Sequence, residues 1–83
     1  RESGLGRYDI LLRPRDLSKR GVIMELKLYD PMFDESVDSV LASALQQIEN
    51  KQYAATLRAA GVTDILKMAI TFDGKRVWVK TAE

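Results

Sequence analysis

The sequence predicts an α/β domain of the α+β kind, with a mixed four-stranded sheet in the order β-β-α-α-β-β and helices packed on one face. Three observations predict it. Two runs of strand composition, residues 8–13 and 21–29, flank a polar loop. Apolar residues then recur at steps of three and four from Val37 to Ile48, the spacing of a helix with one buried stripe. Two more strand-like runs, 65–72 and 75–80, close the chain around Asp73-Gly74. A strand, a helical crossover and a second strand favour parallel neighbours with a right-handed connection.

In the first run Tyr8, Ile10 and Leu12 alternate with Asp9, Leu11 and Arg13, and Pro14 biases Arg13 to an extended conformation and stops the strand. Arg13, Arg15, Lys19 and Arg20 concentrate positive charge in the following loop. A solvated hairpin tip explains that charge as well as a phosphate-binding patch does. In the second run Val22, Met24, Leu26 and Leu28 form an apolar face, expected to be core. The other face carries Ile23, Glu25, Lys27 and Tyr29, because residues two apart on a strand point the same way. A solvated Glu–Lys pair is the ordinary reading of that face.

Asp34, Glu35 and Ser36 supply capping residues for the helix. Its stripe is Val37, Val40, Leu41, Ala44, Leu45 and Ile48, with Gln46 in water and Gln47 at the margin. Asn50 is the expected break. Residues 51–60 are helical again, with Tyr53 and Leu57 four apart and Gly61 as the terminator. Leu66, Met68, Ile70 and Phe72 form the apolar face of the third strand, Asp73-Gly74 a two-residue hairpin turn, and the basic last run an outer strand guarded by charge. Trp78 on that run could instead stack a base.

Composition narrows the chemistry. Eighty-three residues make at most one domain with a thin core, so a homodimer is a plausible way to cover the far side of the sheet. Net charge is +1, which gives no global bias toward nucleic acid or membrane. The chain has no cysteine and no histidine, which excludes disulfides, thiolate sites, His-bound zinc and His-based triads. A metal must then be held by oxygen, pointing to Mg2+, Mn2+ or Ca2+. No run is long enough to span a bilayer and no signal peptide is visible, so the expectation is a cytoplasmic location without membrane contact. The start at Arg1, without an initiator methionine, suggests a fragment of a longer chain.

Asp9, Glu25 and Lys27 form the constellation to weigh. Paired hairpin strands would bring Asp9 beside Glu25, and two close carboxylates repel unless a cation or a proton lies between them. The backbone carbonyl of Leu26 could add a third oxygen. Lys27 could orient or deprotonate a metal-activated water, or stabilise charge in the transition state. This set suits phosphodiester hydrolysis without histidine.

Asp9, then Glu25-Leu26-Lys27 on the next strand, then a helix with Gln47, resembles the PD-(D/E)XK nuclease superfamily. The wider pattern is Glu2 to Ile10, the strand over 22–28, Gln47-Ile48, Lys51 and Tyr53. It is similar to the nuclease-like domain at the C-terminus of bacterial AAA-ATPase-like proteins. The resemblance implies a restriction-endonuclease-like core and a nuclease that uses Mg2+ or Mn2+ on DNA, with RNA the second candidate. It also implies an AAA-ATPase-like domain in the same full-length chain. By the same resemblance Asp9, Glu25 and the Leu26 carbonyl match the metal ligands, Lys27 the catalytic lysine, Glu2 an auxiliary acid and Gln47 the helix glutamine. The family's first helix is absent from this chain, and Tyr8 stands where the founding motif has proline. Arg13, Arg15, Lys19 and Arg20 would meet nucleic-acid phosphates. Two other readings stay open: a non-catalytic module that binds nucleic acid or the ATPase, and a structural or dimerising domain.

Overall fold

A computed structural model describes residues 7–34 and 36–83, so the expected roles of Glu2 and Glu35 lie outside the described residues. The elements are β1 (Arg7–Leu12), β2 (Gly21–Leu28), α1 (Val37–Asn50), α2 (Tyr53–Ala59), β3 (Ile65–Phe72) and β4 (Val77–Ala82). They form one sheet in the order β1-β2-β3-β4. The outer pairs are antiparallel and the central β2–β3 pair is parallel. The expected α+β architecture and element order are therefore those observed.

Local chemistry accounts for the boundaries. Ser36 caps α1 and exchanges hydrogen bonds with Ser39 in a capping box. The helix runs through Asn50, so the break falls two residues later than expected, at Gln52 with φ 59°. The second helix ends in a Schellman arrangement. Gly61 sits at φ 102°, its N–H bonds to the Arg58 carbonyl, and the Val62 N–H bonds to the Leu57 carbonyl. The β3–β4 turn is centred on Gly74-Lys75, one residue beyond the expected Asp73-Gly74, because Phe72 pairs with Val77 and the Asp73 N–H bonds to the Arg76 carbonyl. The Asp73 carboxylate accepts from the Lys75 and Arg76 amides, which leaves Gly74, at φ 95°, as the first central residue.

Both helices pack on one sheet face, and that face is the reverse of the expected one. Ile23 and Glu25 are buried on β2, and Ile65, Lys67, Ala69 and Thr71 on β3. Val22, Met24 and Leu26 are half-buried on the other face and Leu28 is exposed. The more apolar face of β2 is thus not the helix-covered one. The β2–α1–α2–β3 crossover decides which face the helices cover, whatever the apolar content of each face. Leu66, Met68, Ile70 and Phe72 share the open face for the same reason.

The core under the helices has two parts. Ile23, Ile48, Leu57 and Val62 anchor one, and Leu41, Ala44 and Ala69 the other, with Leu45 touching both. Trp78 packs against the second part, edge-on to Tyr29 at 6.1 Å and under the Arg76 guanidinium at 4.9 Å. Its ring is committed to packing, in accord with the outer-strand reading of β4.

Candidate functional site

The first two strands place the acids. Asp9 and Glu25 are direct partners across the β1–β2 ladder. The N–H of Gly21 bonds to the Asp64 carbonyl and that of Tyr29 to the Phe72 carbonyl, so odd-numbered β2 residues turn their amides toward β3. Asp9 and Glu25 therefore face each other as a non-hydrogen-bonded pair, the kind whose side chains approach most closely. Both project to the helix side, where Glu25 is 1% exposed.

The helix break supplies what meets them. Lys51 follows α1 and Tyr53 opens α2, on either side of the left-handed Gln52. The Lys51 Nζ donates to Asp9 Oδ2 at 2.6 Å and reaches Glu25 Oε1 at 3.5 Å. The Tyr53 hydroxyl donates to the same Asp9 oxygen at 3.0 Å. Burial raises the Asp9 carboxyl, but hydrogen bonding with Lys51, Glu25 and Tyr53 and the Lys51 charge outweigh it and hold the pKa below the ordinary 3.8. The hydrogen bond to Asp9 raises the Lys51 ammonium above its ordinary 10.5, against the opposing effect of burial, with the charges of Glu25 and Asp9 adding to the rise. Burial and the hydrogen bond to Asp9 raise the Tyr53 hydroxyl.

The other expected residues lie further out. Lys27 shares the face of Glu25, and its Nζ pairs with Asp34 Oδ1 at 3.5 Å. The β2 backbone there is tied to β3 by the Thr71 hydroxyl, which donates to the Lys27 carbonyl at 2.6 Å. Gln47 is half-buried, one helical turn before Lys51. In the basic loop Arg13, Arg15 and Lys19 are exposed, while Arg20 is engaged with Asp64 at 3.2 Å. Lys51 and Tyr53 belong to the sequence pattern that carries the family resemblance, which assigns them no role. Their distance in sequence from Asp9 left no spacing signal to find them by.

Two paired carboxylates, converging on one cationic group, are the observation that gives meaning to the family comparison. The model of the PD-(D/E)XK nuclease superfamily matches residues 1–82. The chain belongs to that superfamily. No curated protein and no solved structure matches it.

A PD-(D/E)XK nuclease generally uses divalent metal, and the residues present fit one. Asp9 and Glu25 already share a positive charge, and hard cations take oxygen ligands. Among the described residues no cluster of three or more His, Cys, Asp or Glu side chains could hold a metal ion. An ion held by this pair would complete its shell with backbone carbonyl, water or substrate oxygens, which suits Mg2+ or Mn2+. No helix among the described residues is long and apolar enough to cross a membrane.

Proposed function

We infer that the domain is a nuclease module that hydrolyses phosphodiester bonds of DNA, or secondarily RNA, with Mg2+ or Mn2+. One observation carries the reading: Asp9 and Glu25 stand opposite each other on adjacent strands and converge on one ammonium group. In this reading Asp9, Glu25 and the Leu26 carbonyl hold the ion. A bound divalent ion would neutralise phosphate charge and acidify water. Lys27, on the same face, is the residue to orient the attacking water or stabilise charge on the phosphate. In this reading Gln47, half-buried one helical turn before Lys51, is the helix glutamine, and Glu2 is the auxiliary acid. The exposed Arg13, Arg15 and Lys19, with Arg20 at the end of the loop, would track backbone phosphates.

The test is cleavage of supercoiled plasmid by the full-length protein. Nicking that requires Mg2+ or Mn2+ and is lost in Lys27→Ala and Asp9→Asn supports the reading. Absence of cleavage by the wild-type protein, or equal cleavage by Lys27→Ala, contradicts it. An AAA-ATPase-like domain in the same chain, a homodimer and a cytoplasmic location belong to the same proposal, and sedimentation of the full-length protein tests the dimer.

A second reading, a non-catalytic nucleic-acid- or ATPase-binding module, is favoured by the Lys51 bridge and the deep burial of Glu25, features that also suit a structural ion pair. Salt-dependent DNA binding without metal-dependent cleavage would select it.

A further inference from the structure

The cation that joins the two acids comes from the helix break. It is not the lysine of the Glu25-Leu26-Lys27 strand. Lys27 leans toward Asp34, whereas Lys51 lies within 2.6 Å of Asp9 and 3.5 Å of Glu25. Nothing in ordinary helix continuation demands this. Gln52 is the one non-glycine residue with positive φ among the described residues, at 59°. A left-handed glutamine is an uncommon backbone state. Here it separates α1 from α2 so that Lys51 and Tyr53, two residues apart, both reach the same Asp9 oxygen. The Lys51 side chain is one-third exposed and Glu25 almost wholly buried, so the ammonium has water to move into and the carboxylate does not.

We propose that Lys51 is a displaceable counter-ion. It holds Asp9 and Glu25 together without metal, and a divalent cation binds by replacing its ammonium between the two carboxylates. Two like charges this close need a cation or a proton between them, and here the Lys51 ammonium reaches both. A divalent ion brings two units in a compact form, and Lys51 one on a flexible stem. Filling the site is then an exchange of cations, and Lys51 sets how much divalent ion is needed. The inference rests on the metal-dependent reading of the same site.

Two measurements on the full-length protein test it. Mn2+ binding is followed by the electron paramagnetic resonance of the free ion in the wild type, Lys51→Met, Lys51→Arg and Asp9→Asn. Removal of one competing charge-assisted contact should tighten Mn2+ binding by about tenfold in Lys51→Met. Lys51→Arg, which keeps the charge, should bind no more tightly than wild type. Binding that is lost in Asp9→Asn yet unchanged or weakened in Lys51→Met overturns the exchange and leaves the metal reading standing. No binding by any variant overturns both. Reductive methylation of the wild-type lysines, read by mass spectrometry, does not depend on a variant's folding. Saturating Mn2+ should speed modification of Lys51 several-fold and leave Lys19 and Lys75 unchanged. Unaltered Lys51 labelling at saturation overturns the proposal.

Discussion

At the scale of single residues, the balance of charge around Asp9 fixes a pH dependence. The folded-state pKa of Asp9 lies below its ordinary 3.8, so its contribution to stability is fully present above that value. It is lost as pH falls through the depressed pKa. The ammonium of Lys51 is shifted upward, so its contribution is fully present below 10.5 and lost as pH rises through the raised pKa. Between those limits Asp9 and Lys51 both keep their charges. Asp9→Asn is expected to cost about 1–2 kcal/mol near neutral pH through its charge-assisted bonds. It should also flatten the stability profile below pH 3.8, as measured by urea unfolding across pH. A variant that keeps the wild-type acid slope would show that Asp9 is not the group responsible. The acids were legible because two strand-like runs joined by one loop pair as a hairpin, which puts Asp9 and Glu25 on adjacent strands, but the loop over 13–20 is too long to set their register. Lys51 was not legible because 42 residues separate it from Asp9, and only the turn at Gln52 aims it there.

Elements carry the next level of the account. Gln52 stands in a conformation that glycine adopts without a Cβ clash, so Gln52→Gly should stabilise the fold by about 0.5–1 kcal/mol, less whatever entropy glycine restores to the unfolded chain. Chemical denaturation reads this directly, and a destabilised variant would mean that the glutamine side chain holds the break. Gly21 sits where β2 begins beneath α2. A Cβ there would lie 3.1 Å from both Leu57 Cδ1 and Val62 Cγ1. Gly21→Ala should therefore cost about 1–3 kcal/mol through overpacking, and an unchanged melting midpoint would show that the two side chains can give way. The helix stripe was readable because its period and its Ser36 cap agree, and Val40, Leu41, Ala44 and Ile48 are all buried. The orientation of β2 was not readable. Apolar content ranks one face above the other, but the handed crossover places the helices over Ile23 and Glu25.

The whole molecule is a sheet with helices on one side and an apolar face on the other. Tyr8, Leu12, Val77 and Val79 on that second face are 72%, 49%, 65% and 51% exposed. Substitution there should be tolerated by the fold, since little burial is lost. Val79→Lys is expected to change stability by no more than about 0.5 kcal/mol while raising solubility. A loss of several kcal/mol would mean that the face is packed in solution. By contrast, Ile23→Ala, on the helix-covered side, should cost about 2–5 kcal/mol. The mixed sheet and its strand order followed from the arrangement of patterns in the chain. Which polar groups the helices would enclose depended on the assembled fold: Glu25, Lys67 and Thr71 are buried, and of these Glu25 belongs to the candidate site.

The central claim is that Asp9 and Glu25 are built to share a divalent cation. It is tested most directly by the anomalous scattering of Mn2+ in crystals of the protein soaked with that ion. The account predicts a peak about 2.0–2.6 Å from a carboxylate oxygen of each residue, with the Lys51 ammonium moved aside. Crystals at saturating Mn2+ with no peak between the two carboxylates, and Lys51 still bridging them, would contradict it.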